Sequence, residues 1–269
     1  MKDPQTGSGR GAAASARRML LVAHRGIWDE NVPQNTLEAF RRAWDAGATW
    51  VETDFHHTRA GQMVCIHAEG ELRAYTGCEK KIADLTPQEV ACLRLSPPSP
   101  FRIPLLAEVL ATVPRHGTLQ AEIKGYSPEY ADAFDGAVRA AGLDESNIVV
   151  SSFQLDALAD FKRRKPSYRT LYLVGVAKDG DKDVFAEIAK AADAGFDCFC
   201  PGLTPKDRAL SPQEIAAVRK AGMGLRAYGV NTPEDMVRAR DCGIEAFTCN
   251  HWHKAFDWAR QVGGVELLH

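Results

Sequence analysis

From residue 19 to residue 249 the chain alternates two hydrophobic patterns. Short apolar or every-other-residue runs fall at 19–24, 50–55, 63–67, 119–124, 147–152, 169–174, 197–200, 224–229 and 244–249, and each has the length and period of a strand. Most intervals between them carry helical periodicity with an explicit start. Asn35 with Glu38 reads as a capping box, and Thr86-Pro87-Gln88-Glu89, Ser211-Pro212-Gln213-Glu214 and Thr232-Pro233-Glu234-Asp235 each place a capping side chain, a proline and an early acid. The stripe Leu37, Phe40, Trp44 suits a helix packed on a sheet.

Strand and helix in alternation over this length predict a parallel sheet closed into an α/β TIM (β/α)8 barrel. Nine runs exceed eight. The turn residues 58–62 (TRAGQ) are expected to fold 63–67 back antiparallel on 50–55, leaving one of these strands, or a C-terminal one, outside the regular count. Residues 68–104, rich in Gly, Pro and Ser toward their end, read as a small insertion after the third strand. Residues 1–18 are small, polar and basic and read as a disordered tail or cloning remnant, leaving 19–269 as a single domain.

Composition narrows the function classes. The 269 residues are 45% hydrophobic with a net charge of -2, which provides for a large core and gives no electrostatic case for nucleic acid or an anionic membrane surface. Seven cysteines form no CxxC pair and read as free thiols of a reducing compartment. No apolar run reaches the roughly eighteen residues of a spanning helix, so a cytoplasmic location is expected, without membrane insertion.

The reactive groups fall at strand ends, where a barrel places its active site. His24 and Arg25 end the first strand, and Glu52, Asp54 and His56, two apart, share one face of the second. His67 ends the third; Glu122 and Lys124 share a face of the fourth. Buried carboxylates in proximity need a cation, and oxygen donors favour a hard divalent ion, Mg²⁺ or Ca²⁺. With Arg25 and Lys124 such a site suits a phosphate, while two histidines supply the acid and the base. His56 stands either beside the metal or as a barrel-rim histidine. The pairs Cys198/Cys200 and His251/His253 lack further ligands at zinc spacing and read as core thiols and surface imidazoles.

In order and spacing, AHRG at 23–26, PQNTLEAFRRAWDAGATWVETD at 33–54, AGQMVCIH up to His67, IPLLAEVL at 103–110, EIK at 122–124, SSF at 151–153 and YGVNTPEDM at 228–236 resemble the glycerophosphodiester phosphodiesterase family. The resemblance implies a TIM barrel that hydrolyses glycerophosphodiesters to glycerol 3-phosphate and an alcohol. It makes His24 and His67 the acid–base pair, Glu52, Asp54 and Glu122 ligands of one divalent cation, and Arg25, Lys124 and Tyr228 contacts to substrate. Four positions depart from the family pattern: Gln34 replaces a glutamate, Ala68 and Cys249 replace aspartates, and Tyr228 replaces a tryptophan. Gln34 and Ala68 keep open a catalytically silent phosphodiester-binding barrel. A lipid-directed phosphodiesterase of the sphingomyelinase D or phospholipase C type is the other alternative.

Overall fold

A computed structural model describes residues 16–96, 99–180 and 182–269. Eight parallel strands close on themselves: β1 (Arg17–His24), β2 (Trp50–His57), β4 (Thr118–Ile123), β5 (Ile148–Ser152), β6 (Arg169–Val174), β7 (Cys198–Pro201), β8 (Gly224–Ala227) and β9 (Ala246–Cys249), with β1 joining β9 on one side and β2 on the other. Two strands lie outside this count. β3 (Met63–Cys65) folds back antiparallel on β2, as the 58–62 turn predicted. β10 (Val265–Leu268), absent from the nine runs, adds in parallel to β1.

Among the described residues ten α-helices lie between or after the strands: α1 (Leu37–Asp45), α2 (Glu69–Thr76), α3 (Pro87–Cys92), α4 (Leu106–Leu110), α5 (Tyr130–Ala140), α6 (Leu155–Arg164), α7 (Val184–Asp193), α8 (Pro212–Lys220), α9 (Pro233–Cys242) and α10 (Trp252–Val262). Capping boxes open α3 at Thr86 and α8 at Ser211, and the Thr232 side chain caps α9. One expected cap is wrong. Thr36, not Asn35, caps α1, because the Asn35 side chain turns inward to Asp54 and Thr53.

Strand alternation divides the interior into two layers. Outward positions such as Val51, Phe55, Leu119 and Phe247 pack beneath the helices with Phe40, Phe134 and Phe161; burying one such phenyl ring contributes about 2 kcal/mol. Inward positions fill the barrel with Val22, Trp50, Val149, Leu171, Leu173, Cys198 and Cys200. The Arg226 guanidinium lies 4.3 Å from the Trp50 ring near the N-terminal end of the barrel. Toward the C-terminal ends the inward positions become polar, and there the reactive groups gather.

The insertion after β3 has a core of its own, in which Val64, Ile66, Leu72, Ile82, Leu85, Val90, Leu95 and Ile103 pack together. Strand β1 begins at Arg17, two residues inside the stretch read as a tail, because Arg17 and Arg18 pair with Val265 and Glu266 of β10; residues 1–15 of that stretch lie outside the described residues. All seven cysteines are free. Among the described residues no helix is long and apolar enough to cross a membrane.

Candidate active site

At the end of β1 the backbone reverses sharply. Arg25 sits in the left-handed region at φ 63°, followed by Gly26 at φ 84°. A Cβ on Gly26 would fall 2.5 Å from the carbonyl carbon of Ala39, so only glycine lets the loop lie on α1, where the Ile27 N–H donates to Ala39 O at 2.9 Å. The strain at Arg25, about 1–3 kcal/mol for such a residue, is held by its N–H donating to Glu52 O and its carbonyl accepting from Asn35 N. This backbone aims the guanidinium across the pocket. Nε lies 3.0 Å from Asp54 Oδ2, and Nη1 donates to Gln34 and Glu71.

Register brings the acids together. Glu52 pairs beside His24, and Asp54 beside Glu122. One oxygen from each of Glu52, Asp54 and Glu122 lies within 4.8 Å of the others, and all three residues are buried. Oxygens bound at about 2.0–2.6 Å on opposite sides of a hard cation would stand roughly 4–5 Å apart, so the triad has the span of a divalent-ion site. Glu52 Oε2 is buried with no hydrogen-bond partner, and His24 Nε2 lies 3.7 Å from it. An orphaned carboxylate oxygen at that point fits a metal ligand.

Electrostatics agree. Burial, then repulsion from Asp54, pushes the Glu52 carboxyl well above its usual range, and the same causes push Glu122 up to about 7. Asp54 is equally buried, but Arg25 and Lys124 more than offset that and hold it at about 2. Lys124 Nζ bridges Glu122 at 2.6 Å and Asp54 at 3.1 Å; burial opposes its charge, yet the two carboxylates outweigh burial and raise it.

The two histidines face one cavity of about 270 Å³, lined also by Arg25, Glu52, Glu122, Lys124, Phe153 and Tyr228. His24 Nδ1 donates to Asn250 Oδ1, leaving Nε2 as the acceptor toward the triad. Burial and the adjacent Arg25 lower His24 to about 4, so it is neutral at neutral pH. His67 lies just beyond β3, which ends at Cys65 rather than at the histidine, and its Nδ1 is 3.2 Å from Glu71 Oε1. His56 Nε2 bonds the His67 carbonyl at 3.2 Å, supporting the backbone there.

Compared with known proteins, residues 24–254 match the model of the glycerophosphoryl diester phosphodiesterase family. The chain belongs to that family. The glycerophosphodiester phosphodiesterase of Caldanaerobacter subterraneus subsp. tengcongensis is 27% identical over 91% of this chain and 100% of its own length. That of Bacillus subtilis is 24% identical over 93% and 90%. Among solved structures, an Oleispira antarctica phosphodiesterase in complex with the product sn-glycerol-3-phosphate superposes with a TM-score of 0.74 at 19% identity, over 90% of this chain and 96% of that one.

The departures from the glycerophosphoryl diester phosphodiesterase pattern now have locations. Ala68 is the N-cap of α2 and leaves it without a side-chain cap. Cys249 points into the outer core, while its neighbours Thr248 and Asn250 line the cavity. Tyr228 forms an edge-to-face pair with Phe153, which is 44% exposed at the rim. Sequence reasoning missed Glu71 and Asn250. The i,i+4 spacing of Glu71 from His67 at a helix start was the available signal for one, and the inward parity of Asn250 with Thr248 for the other.

Proposed function

We propose that this chain hydrolyses glycerophosphodiesters to glycerol 3-phosphate and an alcohol, with the 19–269 region acting as one catalytic unit. The observation that carries the reading is the convergence of Glu52, Asp54 and Glu122 within 4.8 Å, beside His24 and in a cavity shared with His67. The three carboxylates would hold one Mg²⁺ or Ca²⁺, hard ions matched to oxygen donors. When bound, such an ion supplies Lewis-acid neutralisation of phosphoryl oxygens.

The chain's own groups provide the remainder. Three ligand carboxylates outnumber Arg25 and Lys124 by one, so a divalent ion leaves the cluster one positive charge, complementary to a phosphodiester monoanion. Arg25 and Lys124 are placed to neutralise charge growing on phosphorus-bound oxygens. Neutral His24 accepts a proton from the attacking water at Nε2 as the new P–O bond forms. His67, carrying a proton on both ring nitrogens with Nδ1–H held by Glu71, gives its Nε2 proton to the departing alkoxide as the old P–O bond breaks and is left as the Nδ1–H tautomer. Tyr228 and Phe153 provide an aromatic wall for the organic part of the substrate. Free thiols throughout support a reducing, cytoplasmic location.

The test is release of glycerol 3-phosphate from glycerophosphocholine with Mg²⁺ or Ca²⁺, with and without chelator. Activity should vanish with chelator and fall by about 10²–10⁴ in His24→Ala. Equal traces from wild type and variant would leave a phosphodiester-binding barrel instead.

A further inference from the structure

We propose that Glu71 is the positioning carboxylate of this active site, fixing both His67 and Arg25 from the insertion, with Gln34 as its neutral counterpart. The inference rests on the catalytic reading above. Three donors converge on Glu71 Oε1: Gln34 Nε2 at 2.9 Å, His67 Nδ1 at 3.2 Å and Arg25 Nη1 at 3.3 Å. The Glu71 side chain is 20% exposed and its second oxygen is buried without a partner. A carboxylate so placed is sustained only by the charge of Arg25 and by its donors.

Each bond does something definite. Donation from His67 Nδ1 to Glu71 orients the ring with Nε2 toward the pocket and fixes the tautomer that remains once the Nε2 proton has gone to the leaving group. The contact with Arg25 Nη1, together with Asp54 on Nε, pins two edges of the guanidinium and leaves Nη2 for phosphate. Gln34 accepts from Arg25 through Oε1 at 3.2 Å and donates to Glu71 through Nε2, which is the one orientation of its amide that satisfies both neighbours. Positions 34 and 71 therefore form a facing amide–acid pair. Exchanging the two groups would satisfy the same network. Arg25 would donate to a carboxylate at position 34, an amide nitrogen at position 71 would donate to that carboxylate, and the amide oxygen at 71 would accept from His67. Two acids would repel, and two amides would leave Arg25 without this charge.

The experiment is a cycle of wild type, Glu71→Gln, Gln34→Glu and the double exchange, assayed for kcat and KM on glycerophosphocholine. It is combined with ¹⁵N imidazole NMR of metal-free wild type and Glu71→Ala at pH 8.5. Glu71→Gln should lower kcat about 10–100-fold, the usual range for a group that orients a metal-site or catalytic residue, with KM within about threefold. Gln34→Glu alone should also lose activity, and the double exchange should return to within about threefold of wild type. The His67 ring should be Nδ1-protonated in wild type and move toward the Nε2-protonated form in Glu71→Ala. Recovery in the double exchange rules out misfolding as the cause of the single losses. Wild-type kcat in Glu71→Gln, losses that simply add, or an Nε2-protonated His67 in wild type would each overturn the proposal. Should wild type release no glycerol 3-phosphate, the catalytic reading fails while the NMR comparison still decides the role of Glu71.

Discussion

Single residues control the site through backbone geometry as much as through chemistry. Gly26→Ala places a methyl group 2.5 Å from the Ala39 carbonyl carbon at a positive φ, and should lower stability by about 2–4 kcal/mol. Because Arg25 is next in the chain, activity should fall further than a melting curve alone would explain; urea titration and turnover of the same sample separate the two effects. The metal-ligand candidates and both histidines were legible because strand parity places Glu52 and Asp54 on one face. Asn35 was not. Its spacing to Glu38 matches a capping box, but in the left-handed conformation at φ 57° its amide donates to Asp54 and its oxygen accepts from Thr53. Residue types that cap helices also anchor carboxylates, and tertiary placement decides between these uses.

Among elements, α2 starts beside the site without a side-chain cap. Ala68 stands at its N-cap with an extended backbone and no hydroxyl or carboxylate to accept from the first turn. Ala68→Asp should therefore stabilise the protein by about 0.5–2 kcal/mol, visible as a higher melting temperature. Helix α8 shows the opposite case. Arg208 grips Glu214 through two hydrogen bonds at 2.8 and 2.7 Å, and with the Ser211 backbone it outweighs burial and holds Glu214 at about 2. A carboxyl depressed in the folded state stabilises it above the ordinary value near 4.5 and loses that contribution as pH falls toward 2. With Arg208 39% exposed, screening leaves about 1–2 kcal/mol; Arg208→Gln should flatten that part of the acid-denaturation curve. Helix starts at Thr86, Ser211 and Thr232 were readable because caps and prolines are local signals. Strand β10 was not, since Val265–Leu268 has its edge defined only by β1.

For the whole molecule, metal and protons compete for the same oxygens. In the metal-free protein Glu52 and Glu122 retain protons to higher pH than free carboxyls do, Glu122 to about 7, so binding a divalent ion must expel them. Affinity should weaken as pH falls below about 7, and titration calorimetry in two buffers of different ionisation enthalpy should report proton release on binding. At a hundredfold excess over the dissociation constant, Mg²⁺ or Ca²⁺ should add about 2.7 kcal/mol, or roughly 5–10 °C in melting temperature. The barrel itself was legible from alternation alone, because eight parallel strands with crossover helices admit few closed arrangements. Depth along the strands was not, and that decides which inward positions are packing and which are chemistry. The separate core of the insertion carries one last implication. His67 and Glu71 ride on a segment with an apolar core of its own, joined to the barrel wall where β3 pairs with β2, while His24 and the triad belong to the wall itself. Substitutions within the insertion core should therefore shift His67 and Glu71 while leaving the cluster of Glu52, Asp54 and Glu122 in place.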